Sequence, residues 1–483
     1  MRQFIYSLVL VFTVMLQACG MGKVARPIRN LFPKENTTYR IKQAYDLGGG
    51  KLTVPNNCTL FFSKEGRLYN GEIEGNNTKL KSEAKSIGVR LSGTWSVNKI
   101  SDEWFDDSKL TDREILDNIN VLQSDELTQV IVMNKKEYKF PIEEKNGYGI
   151  NMSSNTTLNL NSTLKLETRN LPSYNIIFVK DKKNVKIVGG RIIGDVVSHS
   201  DFYEGKSEWG TGVDIGNSSS VTLENMYITF CWGDGIYVGG GAENSVGLYD
   251  YASKNIRLKN VICDNNRRQG VSITHVDGFI ADNCQFINTG VRKKVSPAAG
   301  VDIEPNLSKG RNQSCRNMTF KKCVIKGNKG KAFTIYMSVT EGDVNNIENI
   351  YLYDCDIEGR ISLCSPSIEI EKCRIDALLT VRTYQSPVNV RFTDCVIKSD
   401  NVTFDMEPKI EVTPKYDVTF KDCDLTIKKI KDALPALQGD NNIRVTFDNT
   451  KIAMPKGLSK QIAKNKTALE KKLKLLESGV KYE

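Results

Sequence analysis

Two carboxylates stand two residues apart in Gly300-Val-Asp302-Ile-Glu304-Pro305-Asn306. On an extended strand that spacing puts both side chains on one face, with Cα atoms roughly 6–7 Å apart. Such a pair can divide acid and base work between its members when a glycosidic bond is broken. The turn Asp264-Asn-Asn266-Arg267-Arg268 leads into the preceding segment, Gly270-Val-Ser272-Ile-Thr274, and His275 follows directly. A lyase would need a base for the proton beside a uronate carboxylate, for which His275 or Tyr336 serve, and a cation to neutralise that carboxylate, for which Arg267 or Arg268 serve. A hydrolase would draw two carboxylates from Asp234, Asp302 and Glu304. The candidate catalytic set is therefore Asp302, Glu304, His275, Arg268, Arg267 and Asp234.

Composition narrows the chemistry further. The chain has 483 residues, of which 40% are apolar and 26% charged, so it is a folded protein and not a disordered or collagen-like one. Its only histidines are His199 and His275, which excludes a multi-histidine metal centre. No cofactor is expected. Ca²⁺ is the alternative, and Asp214 and Asp302 are a poor pair for it because three rungs would separate them by about 14 Å.

The elements that position these residues repeat. Short apolar-alternating strands run through Gly212-Val-Asp-Ile215, Gly235-Ile-Tyr-Val238, Gly270-Val-Ser-Ile273, Gly300-Val-Asp-Ile303, Ala332-Phe-Thr-Ile335 and Arg360-Ile-Ser-Leu363. A second series follows them, among them Val221-Thr-Leu223, Ile256-Arg-Leu258, Phe279-Ile-Ala281 and Met318-Thr-Phe320. Each of these ends at Asn225, Asn260, Asn283, Lys322, Asp354, Lys372, Asp394 or Asp422, and a third strand begins at once. Asn and Asp tolerate the left-handed backbone that such a corner needs. The next position holds Met226, Val261, Cys284, Cys323, Cys355, Cys373, Cys395 or Cys423, so six cysteines share one inward column. In-register neighbours in that column would sit about 4.8 Å apart with parallel side chains, which favours free thiols over disulfides.

Three strands per rung around an apolar interior make this an all-β chain, a single-stranded right-handed parallel β-helix. It resembles the pectate-lyase-like superfamily over about residues 45 to 455. That fold carries lyases, hydrolases, epimerases and adhesins, so the resemblance implies a polysaccharide partner without choosing a reaction. Asp302-Ile-Glu304-Pro305 also looks like the Asp-Pro-His-Glu strand of alginate epimerases, with Glu304 where their histidine would stand. With the Asp302, Glu304, Arg268 and His275 cluster, glycan cleavage by lyase or hydrolase chemistry is the first expectation, a non-catalytic glycan-binding or structural adhesin role the alternative, and uronate epimerisation a third reading.

Strand parity places the site. With the second and fourth residues of each first strand inward, the third and fifth point to solvent. The outward set is then Asp214, Tyr237, Ser272, Asp302 and Thr334 beside Thr274, Glu304 and Tyr336. Long inserts at 196–211, 239–254, 289–299 and 304–316 flank this strand and bring Tyr203, Trp209, Tyr249 and Tyr251, so they would wall a groove. Asp214, Tyr237, Ser272, Tyr336, Trp209, Asn266 and Asn306 are the expected substrate-binding residues.

The ends of the chain carry other signals. An apolar run from Phe4 to Leu16 is too short to span a membrane and reads as a signal peptide over residues 1–18. Leu16-Gln-Ala-Cys19-Gly20 resembles the lipobox of bacterial lipoproteins, which implies a lipidated Cys19 and a tether over 19–40 that holds the protein at a membrane of the cell envelope. N-terminal coils and a cap helix from Thr111 to Leu122 are expected over 41–125, with the β-helix over 126–455. Residues 456–483 hold eight lysines and three glutamates and show a Leu/Ile stripe, which predicts a Lys-rich C-terminal helix. No nucleic-acid partner is expected, and trimerisation, common among tailspike-like β-helices, is left open.

Overall fold

The computed structural model describes residues 31–482 apart from residue 84 and segments 201–206, 241–250, 307–312, 337–346, 384–387, 401, 407–415, 428–442, 454–473 and 479–480. The chain divides into two compact units, residues 1–97 with 103–122, and residues 98–102 with 123–483.

The first unit starts its coils with Thr38–Ile41, slightly earlier than expected, and stacks strands in parallel from there to Ile87–Trp95. One long strand, Arg67–Ser82, contains a slip where the register shifts between Gly75 and Thr78 and Asn77 turns left-handed at φ 49°. Helix α1, Asp112–Val121, begins where Thr111 and Glu114 form a reciprocal capping box. Its Asn118 is buried and acts as a false strand, accepting from the Leu91 amide at 2.7 Å and donating to the Val89 carbonyl at 3.0 Å. The helix thus satisfies backbone groups that an open strand edge would leave unpaired. Thr111→Ala is expected to cost this unit about 1 kcal/mol, read as a lowered midpoint in thermal melting.

The second unit is a right-handed parallel β-helix, and every strand pairing among its described residues is parallel. First strands stack as Asn175–Lys180, Thr211–Gly216, Asp234–Gly239, Gln269–Ile273, Ala299–Ile303 and Phe333–Ile335. Second strands form a 14-stranded ladder, and third strands such as Ile262–Asp264 and Gln285–Ile287 pair with their own kind. Val271, Val301 and Phe333 continue one inward stack, and Phe279, Met318 and Ile350 another, all at 0–1% exposure. A column of identical alternation can be extended one rung at a time because each rung completes the apolar contacts and hydrogen bonds of the last.

All eight corner residues from Asn225 to Asp422 lie in the left-handed region, at φ between 52° and 58°. Their side chains also stack, with Asn283 donating to Asn260 and Asn260 to Asn225, each at 2.8 Å. The cysteine column behind them is buried and free of disulfides. The thiols of Cys355 and Cys395 donate to carbonyls of the preceding rung, at 3.4 Å to Phe320 and to Ile370. A thiol fits there because it is a small hydrophobe with a weak donor. An aromatic-disulfide reagent should leave the native protein unmodified, whereas after denaturation the eleven described thiols should all react; a native-state reaction of several thiols would contradict the buried ladder.

The C-terminal expectation needs correction. Lys474–Ser478, inside the predicted helix, is a strand paired in parallel with Ile443–Asp448 in the register Val445↔Leu475. The Ile443–Asp448 strand offers a row of backbone partners, and that row outweighs a helical stripe whose last turn is only a Leu-Leu doublet. Residues 456–473 and the signal and lipobox residues, Cys19 among them, lie outside the described residues.

Candidate functional site

Four first strands open with a glycine that faces inward, Gly212, Gly235, Gly270 and Gly300. A Cβ on Gly235 would meet Asn266 Nδ2 at 2.6 Å and Cys263 Sγ at 3.1 Å. Turning the glycine in brings the residue before it out, so Asp234 and Gln269, paired in register, share the outer face with the third-position column Asp214–Tyr237–Ser272–Asp302–Thr334. Glu304 and Tyr336 hold the fifth position, where their amides bond to Ile273 and Ile303 of the preceding rung.

This face is covered, which strict alternation did not anticipate. Asp234, Ser272, Asp302 and Thr334 are only 1–2% exposed, although parity puts them outside the β-helix interior. Side chains from the turns entering the strands cross over them. Arg268 Nη1 lies 3.2 Å from Asp234 Oδ2, and its Nε lies 3.4 Å from Glu208 Oε2. Gln269 Nε2 donates to Asp302 Oδ2, and Lys331 Nζ reaches Thr334 Oγ1 at 3.3 Å. Asp302 Oδ1 and Gln269 Oε1 are buried without a hydrogen-bond partner.

The cover sets the proton affinities. Burial pushes Asp302 up to about 8, reinforced by the charges of Glu304 and Asp234 and opposed by Arg268 and Lys331. Asp234 rises only to about 6, because Arg268 works against its burial. Asp214 reaches about 7 through burial, with Lys180 opposing. Glu304 is also raised by burial, yet it is half-exposed. Tyr237 is half-buried and its hydroxyl lies 2.9 Å from Thr274 Oγ1. Trp209, Tyr251 and Tyr336 are exposed large aromatics, and the Arg268 guanidinium sits 5.6 Å from the Trp209 ring centre. Tyr203 and Tyr249 lie outside the described residues.

Asp302, Glu304, Arg268 and Asp234 are therefore brought together with Asp214, Tyr237, Ser272, Trp209 and Tyr336. Four other candidates go elsewhere. His275 Nδ1 accepts the Ser314 amide at 2.9 Å and its ring packs over Gly240, at the corner after the strand, so it belongs to the wall and not to the carboxylate cluster. Asn266 is fully buried and spends its amide on the backbone of Cys231 and Ile228, which braces the turn and leaves no face for a ligand. Arg267 lies flat on Trp232, 3.6 Å from its ring centre, and donates to the Trp232 and Ser207 carbonyls. Asn306 closes the foot of its insert by exchanging backbone and side-chain bonds with Gln313.

Residues missed by parity complete the cluster: Gln269, Glu208 and Lys331. The residue before a first strand was the available signal, since Asp234, Gln269 and Lys331, which precede Gly235, Gly270 and Ala332, are polar where an inward position would be apolar. Another group holds Glu208 and Trp209 in place. His199 stacks on Trp232 at 3.7 Å and bonds to Asp195 at 2.9 Å, and Tyr174 donates to the same carboxylate at 2.7 Å. Trp232 is thus clamped between an imidazole and the Arg267 guanidinium, which pins the insert that ends at Glu208. Among the described residues no group of three His, Cys, Asp or Glu side chains is arranged to hold a metal ion.

No family model matches the chain. The SPβ prophage-derived uncharacterized protein YorA of Bacillus subtilis (strain 168) is 27% identical over 229 residues, covering 44% of this chain and 38% of the relative. The uncharacterized protein YclG of the same organism is 31% identical over 137 residues, covering 27% and 23%. The chain thus spans well under half the length of these relatives. Among solved structures, a tailspike protein gp49 of Acinetobacter baumannii bacteriophage Fri1, a capsular polysaccharide depolymerase, is similar with TM-score 0.48 and 11% identity, covering 80% of this chain and 62% of the other. The A-module of the mannuronan C-5 epimerase AlgE6 of Azotobacter vinelandii gives TM-score 0.42 and 12% identity over 73% and 90%. The surface adhesin PfbA of Streptococcus pneumoniae gives 0.42 and 11% over 80% and 93%. These likenesses are of fold.

Proposed function

We propose that this chain hydrolyses a polysaccharide, with Asp302 as general acid and Glu304 as the carboxylate that activates water or attacks the sugar. The observation that supports this most is the division of proton affinity on one face. Asp302 keeps its proton at neutral pH because it is buried among like charges, while Glu304, two residues along, reaches solvent beside Arg268. Carboxyls whose surroundings push their affinities apart are the pattern of acid–base pairs in glycoside hydrolysis. Asp234, tied to Arg268, holds the guanidinium over the cluster, and Trp209 and Tyr336 offer ring faces to sugars.

The activity would take place at a membrane surface of the cell envelope, with the chain held there through a lipidated Cys19. Full-length protein in detergent, incubated with pectic, alginate, glycosaminoglycan and neutral glycans, should release reducing ends without unsaturated-uronate absorbance. Appearance of that absorbance would point to elimination, and retention of a glycan with no cleavage would leave a binding protein; either result sinks the hydrolytic reading.

A further inference from the structure

We propose that the site takes a neutral glycan and excludes chains built of uronates, an inference that rests on the hydrolytic reading above and names its substrate class. A uronate site needs a cation to meet each sugar carboxylate. Among the described residues the cations of this face are already engaged. Arg268 is shared between Asp234 at 3.2 Å and Glu208 at 3.4 Å. Lys331 reaches Thr334 at 3.3 Å, and Lys180 pairs in register with Gly216 at the edge of the column, where its charge acts on Asp214. Against these three stand five carboxyl groups, Asp214, Glu208, Asp234, Asp302 and Glu304. A sugar carboxylate would enter a partly dehydrated pocket as one more negative charge, and like charges in such a medium repel more strongly than in water.

A second observation concerns hydrogen bonds. Asp302 Oδ1 and Gln269 Oε1 are buried without partners, on side chains that are 2% and 0% exposed and that bond to each other across this face. Gln269 Oε1 is an acceptor, and Asp302 Oδ1, with Oδ2 taken by Gln269, carries the proton of the acid, so the ligand that completes both must bring a donor and an acceptor together. A hydroxyl does so, whereas an ionised carboxylate only accepts. Arg268 Nε is the one donor here without a hydrogen bond, and the Glu208 charge already faces it. Trp209, 52% exposed beside Arg268, supplies an apolar ring face, which neutral pyranoses match.

The test is affinity electrophoresis of the full-length protein in detergent through gels holding polygalacturonate, alginate or hyaluronan, each beside its carboxyl-reduced form. Retardation should be at least about tenfold stronger in effective affinity for the reduced member of a pair. Glu208→Gln releases half of the Arg268 clamp from a partly exposed position, and it should gain retardation by a uronate polymer that scarcely slows the parent protein. Stronger retardation by a uronate form, or no gain from Glu208→Gln, overturns the inference while leaving hydrolysis standing if reducing ends still appear. Failure of every polymer in both forms to retard the protein removes the glycan reading itself, and the inference with it.

Discussion

Asp302→Asn should lower kcat for glycan cleavage by about 10²–10⁴-fold while leaving glycan retention and the melting profile at low pH near those of the parent. The amide keeps the shape and can still accept from Gln269, so the fold has little reason to change. What it loses is the transferable proton. A positional role and an acid role part company on the leaving group: glycosides of acidic phenols need no protonation and should be cleaved by the variant with a much smaller loss than the polysaccharide. An equal loss on both substrates would contradict the acid assignment. The pH profile adds a second check. An acid must be protonated to work, so the parent activity should fall as pH rises through about 8, the value to which burial lifts Asp302. Glu304 must be ionised, so its raised affinity sets the acidic limb above that of an ordinary glutamate. The variant should keep the acidic limb and lose the alkaline one, although the two limbs belong to a coupled cluster and not to isolated residues.

Much of this arrangement was legible in the chain because a solenoid writes its fold as columns. Asn225, Asn260 and Asn283 announced the left-handed corners, and Cys284 through Cys423 announced the wall behind them, since each rung must solve the same steric problem. Asp302 and Glu304 were found by period-two parity. The same parity failed one step earlier, where Gly235 turns inward against Asn266 and Cys263 and Gly270 against Phe286, which brings Asp234 and Gln269 to the outer, covered face. Pairwise alternation contains no term for such a reversal. Nor could it see cover: it put Asp302 in water, whereas the entering turns lay Arg268 and Gln269 over the floor. Arg267 and Arg268 are adjacent and chemically alike, yet one stacks on Trp232 and the other faces Asp234, a division set by a tryptophan 35 positions earlier in the chain. Contacts between rungs of that kind leave no local signature.

Stability should fall as pH rises from about 5 to about 9, the reverse of the usual behaviour of carboxylates paired with cations. Asp302, Asp234 and Asp214 bind protons more tightly in the folded chain than in the unfolded one, where each titrates near 3.8. Between that value and the folded values of about 8, 6 and 7, the folded state holds the larger number of protons, so raising pH favours unfolding. Their contribution is complete below about 4 and is lost by about 8. The carboxylates shifted the other way, Glu72, Asp125, Glu224 and Glu371, are lowered, so their contribution is already present above the ordinary carboxylate range and does not change in this window. For Asp302 alone the loss is on the order of a few kcal/mol, and a unit as long as residues 123–483 moves its melting midpoint by roughly 1–2 °C per kcal/mol. Circular dichroism melts at fixed scan rate between pH 5 and pH 9 should therefore show a falling midpoint. Asp302→Asn should flatten the largest part of that fall and Asp214→Asn a smaller part. A parent midpoint that holds steady or climbs across the window would mean that Asp302 ionises freely in the folded chain, and the buried acid would lose its basis.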